Sequence, residues 1–104
     1  MQKVQYIKLP GETVTTTFWQ DFSIADKFGI NAIKDTYENA FNSWKHDYRY
    51  ITNLAIVMNY KAFDYSELNE DIAEVYVDLY HKTNSFALNN FKGDELKYYL
   101  EITD

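Results

Sequence analysis

Apolar side chains return at every third or fourth position through most of this chain. Ile33, Tyr37, Ala40, Phe41 and Trp44 stand at i, i+4, i+7, i+8 and i+11, which places them on one face of a helix. Ile51, Leu54, Ala55, Met58 and Ala62 mark a further helix over about Tyr48 to Phe63, with Tyr50, Val57 and Tyr60 on its other faces. Apolar groups on more than one side predict a central helix, or one with a side left for a partner. Ile72, Val75, Tyr76, Leu79, Thr83, Phe86 and Ala87 then share a face until "NNFKG", where Gly93 ends the run. Ahead of these, Phe18, Phe22 and Ala25 predict a first helix from Phe18 to Phe28 that stops at Gly29.

Capping residues sharpen these boundaries. Thr17 and Gln20 have capping-box spacing, and Asn31, Asp47 and either Ser66 or Asn69 precede the next three helices. At the start of the chain, "VQYIKLPGETVTTTF" reads as two extended runs around Pro10-Gly11, with Val14 to Thr17 β-branched throughout. In the tail "DELKYYLEITD", Asp94 caps a short helix that passes into an extended end. There Tyr98, Leu100 and Ile102 alternate with Tyr99, Glu101 and Thr103.

The fold expected is therefore mainly α: a small four-helix bundle in one domain over 1–104, with residues 1–16 forming a short N-terminal β-hairpin or extended arm. Its expected core is Phe22, Ile33, Tyr37, Phe41, Trp44, Ile51, Leu54, Met58, Ile72, Val75, Leu79 and Phe86. Three glycines and one proline in 104 residues agree with long helices and short loops.

Composition narrows the chemistry. Cysteine is absent, which removes disulfides, thiolate metal sites and cysteine nucleophiles and fits a reducing compartment. No apolar run reaches the length of a signal peptide or a membrane span, so the expected location is the cytoplasm, without membrane contact. Ten basic against sixteen acidic residues give a net charge of −6, and the bases are scattered. Direct nucleic-acid binding is not expected from such a field.

The segments "TFWQDFSIADKFG", "AIKDTYENAFNSWK" and "FKGDELKYYLEITD" resemble small uncharacterised proteins encoded by gut-associated bacteria and their mobile elements. That resemblance implies an intracellular accessory protein and carries over no catalytic residue.

Chemistry-bearing residues concentrate in "FDYSELNEDIAEVYVDLYHK". Asp64, Glu67, Glu70, Asp71, Glu74 and Asp78 appear there with no base before Lys82. Glu70, Glu74, Asp78 and His81 fall on one helical stripe opposite the apolar face, which predicts a solvated surface. Asp78-x-x-His81 echoes half of a carboxylate-bridged metal site, but the second such element is missing around His46, and no metal or other cofactor is expected. Serines lie in helical or capping contexts, no glycine-rich phosphate loop exists, and adjacent His46 and Asp47 would point about 100° apart on a helix.

The remaining excess is aromatic, with ten tyrosines, seven phenylalanines and two tryptophans. Together these features favour a non-enzymatic interaction or accessory module. It would bind a protein partner through acidic and tyrosine-rich surface (Glu67, Glu70, Glu74, Asp78, Tyr50, Tyr60 and Tyr80) and could pair as a homodimer. The alternative is a small metal-dependent or acid–base hydrolase using Glu74, Asp78 and His81.

Overall fold

The structure, a computed structural model, describes residues 14–103. It contains α1 (Val14–Phe28), α2 (Ile30–Trp44), α3 (Tyr48–Tyr65), α4 (Glu70–Asn90) and α5 (Asp94–Thr103). Helices α3 and α4 form the most extensive pairing, α1 and α2 form a second hairpin against them, and α3 touches all four other helices. Every residue from Ile51 to Met58 is buried, so no side of this stretch faces solvent. Apolar character on several faces of α3 thus reflects a central position.

The mainly α class holds, while the four-helix count is one short. The fifth helix is the tail, where an extended end was expected. Lys97 N–H donates to the Gly93 carbonyl at 3.0 Å, and the helix runs to Thr103. Packing overrides the alternating pattern: Tyr99 is fully buried, meets Phe91 edge-on at 5.9 Å and donates its hydroxyl to Asn84 Oδ1 at 2.7 Å. Tyr98 sets its ring against Tyr48 at 5.2 Å. Helix α5 therefore closes the end of the bundle formed by the start of α3 and the end of α4.

Val14 to Thr17, read as strand, forms the first turn of α1, so Thr17 lies inside the helix instead of capping it. The intrinsic cost of a β-branched residue in a helix is below about 0.7 kcal/mol, too little to outweigh the anchoring of the next turns by buried Phe18, Phe22 and Ala25. The rest of the expected hairpin or arm lies outside the described residues, and among the described residues there is no strand. Asn31 is likewise inside α2, whose capping position belongs to Gly29. As the single residue between α1 and α2, Gly29 takes φ 109°, a conformation that side-chain-bearing residues rarely adopt.

Asp47 and Asn69 cap as read, whereas Asp94 is the first residue of α5 and the carbonyl before its first turn belongs to Gly93. Asp47 accepts from Arg49 N–H at 3.0 Å, and Asn69 accepts from Asp71 and Ile72 N–H at 3.1 and 3.2 Å. Ser66 sits instead at the end of α3, its N–H on the Phe63 carbonyl. Replacing Asn69 with alanine removes the partner of two N–H groups that no helical carbonyl reaches. The expected loss is about 1 kcal/mol, read as a lower urea midpoint with an unchanged slope.

The core contains most of the residues expected. Phe41, Ile72, Val75 and Phe86 are only partly buried against it, and Trp44 is 39% exposed, stacked on Tyr50 at 4.0 Å on the surface. Phe18, Tyr76, Phe91 and Tyr99 join the core in addition.

Candidate functional site

Among the described residues the interior holds one charged pair. Lys61 on α3 and Asp26 on α1 meet at 2.9 Å, with side chains 5% and 7% exposed. Lys61 Nζ also donates to Ser23 Oγ at 2.8 Å and lies 4.3 Å from the centre of the Trp19 ring. Asp26 Oδ2 accepts from the Tyr65 hydroxyl at 2.9 Å, while Oδ1 accepts from the Tyr76 hydroxyl. The cluster therefore joins α1, α3 and α4. Burial raises both phenols, and donation to Asp26 raises them further, because an adjacent carboxylate disfavours a phenolate. The Tyr65 hydroxyl is pushed up to about 12, and that of Tyr76 well above the usual tyrosine range.

Ser23 and Lys61 have the separation of a nucleophile and its base. Their setting argues against that chemistry. Paired with Asp26, Lys61 is an ammonium, which has three donors and no lone pair to take a serine proton. Neither the groove between α1 and α2 nor the depression where Phe28 meets Asp71 is lined by Ser23, Asp26 or Lys61. The arrangement can orient three helices. It offers no substrate access through either opening.

Two further polar contacts stitch the other side of the core. Thr83 donates to the Leu79 carbonyl at 2.8 Å, which leaves its oxygen to accept from the Tyr37 hydroxyl at 2.7 Å. Buried Asn53 and Thr52 donate to the carbonyls of Arg49 and Tyr48 within α3.

The residues expected at a partner surface do not form one patch. Glu67 lies in the α3–α4 turn, and Glu70, Glu74 and Asp78 follow along the outer face of α4, all exposed together with His81. Tyr50 is near the far end of α3, roughly 20 Å or more from Glu67 along the helix axis. Tyr60 is half-buried on α3, and Tyr80, also half-buried, meets the His81 ring edge-on at 5.6 Å. Glu74, Asp78 and His81 line neither described opening, and among the described residues no group of three or more His, Asp or Glu converges for a metal.

The strongest surface anomaly is apolar. Phe28 at the end of α1 and Leu68 in the α3–α4 turn are 78% and 77% exposed, more than any other large hydrophobic residue described. Phe28, Ile30, Asn69, Asp71 and Ile72 line one depression at this end of the bundle, and Leu68 directly precedes Asn69. Sequence periodicity missed both residues: Phe28 closes an amphipathic helix, and Leu68 lies in a turn, where spacing assigns no face. No family model, curated protein or solved structure matches this chain.

Proposed function

We propose that this chain is a non-enzymatic interaction or accessory module that acts in the cytoplasm by binding another protein. The observation that supports it best is the acid-flanked apolar end of the bundle, where Phe28 and Leu68 stand in solvent beside Glu67, Glu70 and Asp71. Large exposed apolar side chains gathered within a polar border are a usual feature of docking surfaces. The resemblance to small uncharacterised proteins encoded by gut-associated bacteria and their mobile elements, which implies an accessory protein, points the same way. Direct nucleic-acid binding and membrane association play no part in this reading.

A photo-crosslinking residue at Leu68, in cells that naturally express the chain, tests the proposal. The expected product is a discrete crosslinked protein that is absent when the same probe replaces exposed Asn42 on α2. Crosslinking at neither position, or equally at both, would reject the interaction reading at this end.

A homodimer is the second reading. Phe63 on α3 and Leu100 and Ile102 on α5 are exposed apolar residues that a second copy would cover. Sedimentation equilibrium decides it: a mass that rises with concentration supports pairing, and a constant monomer mass rejects it.

A further inference from the structure

We propose that the α3–α4 end of the bundle is a docking surface for a basic, amphipathic helical segment of another protein. This rests on the interaction reading above and adds the chemistry of the partner. Phe28 and Ile72 border the depression between the end of α1 and the start of α4, and exposed Leu68 directly precedes Asn69 of its lining. Such a seat accepts apolar side chains spaced at i and i+3 or i+4 on one face of a helix.

Charge selects among possible occupants. From Ala62 to His81 there are six acidic residues and no lysine or arginine, and Glu67, Glu70, Asp71 and Glu74 are exposed around Leu68 and the first turns of α4. Lys61 is not available to offset them, because Asp26 holds it in the interior. Lys27 beside Phe28 is the nearest exposed base in sequence.

A second copy docking through this end would set the same acids against each other, and like-charge apposition is costly. An anionic lipid surface or a phosphate backbone would be repelled in the same way. A segment with leucine or phenylalanine on one face and lysine or arginine flanking it satisfies both the apolar seat and its rim.

The test uses the full chain and three synthetic peptides of ~18 residues, about five helical turns. One is a leucine–lysine amphipathic helix, one its leucine–glutamate counterpart, and one a lysine–serine peptide of equal charge. Fluorescence anisotropy at low and high salt reports binding, and circular dichroism confirms that each protein variant stays folded.

The leucine–lysine peptide is expected to bind, the leucine–glutamate peptide not to bind, and the lysine–serine peptide to bind at least about tenfold more weakly. Phe28→Ser combined with Leu68→Ser is expected to weaken the leucine–lysine peptide at least about tenfold, since both apolar anchors go while the net charge stays. Glu67→Gln, Glu70→Gln and Asp71→Asn together should slow association and flatten its salt dependence. Asp94→Asn with Glu95→Gln, at the α5 end, should change neither.

Equal binding to wild type and to the Phe28→Ser/Leu68→Ser variant would overturn the docking surface, because net charge alone would explain the attraction. Equal binding of the leucine–glutamate peptide would overturn the partner class. A specific crosslink at Leu68 without any leucine–lysine binding would reject the basic helix and leave the interaction reading standing. Absence of both would remove the two together.

Discussion

Asp26→Ala is expected to lose about 3–5 kcal/mol of folding stability, measured by urea unfolding at neutral pH. The substitution takes the carboxylate away from the buried Lys61 ammonium, which keeps Ser23 and the Trp19 face, and it removes the acceptor for the Tyr65 and Tyr76 hydroxyls. Among the described residues, the Tyr76 hydroxyl then keeps the Phe22 carbonyl at 3.5 Å, at the outer limit of a hydrogen bond. Asp26→Asn separates charge from hydrogen bonding, since the amide oxygen still accepts while the negative charge is gone. Its cost should fall between wild type and the alanine variant.

Replacing both charged partners, Asp26→Leu with Lys61→Met, should cost far less than the single alanine substitution. No uncompensated charge remains, and apolar replacement of a buried ion pair is often neutral or stabilising. The orphaned Tyr76 hydroxyl should account for about 1–3 kcal/mol of what is lost, recovered on adding Tyr76→Phe. A double variant as unstable as Asp26→Ala would reject this view and make the ion pair itself a net source of stability.

This pair also shows why part of the interior was illegible in the sequence. Lys61 continues the stripe Leu54–Met58 at i+3, and Asp26 continues Phe18–Phe22 at i+4, so each interrupts an apolar face with a charge. Read singly, such residues suggest a long side chain reaching solvent or a frayed helix end. Their partnership spans 35 positions, and local periodicity carries no information about which interruptions meet. The signal available was the coincidence of opposite charges on two apolar stripes.

Helices α2, α3 and α4 were legible because each repeats its apolar positions over several turns and two of them start at side-chain caps. Helix α5 was only partly legible. Ten residues give fewer than three turns of pattern, and its hold on the bundle comes from Tyr99 in the core and Tyr98 against Tyr48, both tertiary contacts. The acidic face of α4 was read from spacing alone and is exposed as expected. The apolar end beside it joins residues from α1 and the α3–α4 turn, about 40 positions apart, so only folding brings them into view.

Raising the pH above about 10 is expected to unfold the protein in one cooperative step as its buried phenols are forced to ionise. Tyr37, Tyr65, Tyr76, Tyr98 and Tyr99 all lie above the ordinary tyrosine value of 10.0, chiefly because burial disfavours the phenolate. In the unfolded chain these groups lose their protons near the ordinary value, whereas in the folded protein Tyr65 holds its proton up to about 12 and Tyr76 beyond. Between those limits the folded state binds more protons than the unfolded state, so stability falls as pH rises. The contribution is fully present below pH 10 and is lost through the folded-state values.

Phenolate absorbance and far-ultraviolet circular dichroism followed on one sample measure this directly. Absorbance from the buried phenolates of Tyr37, Tyr76 and Tyr99 should appear together with the loss of helix. Tyr76→Phe removes the phenol most strongly raised, so the stability lost between neutral and alkaline pH should be smaller in that variant, even if its neutral stability is lower. Smooth titration of all ten tyrosines near the ordinary value with the helices still formed would show that the Asp26 cluster and the core do not hold these hydroxyls as the geometry requires.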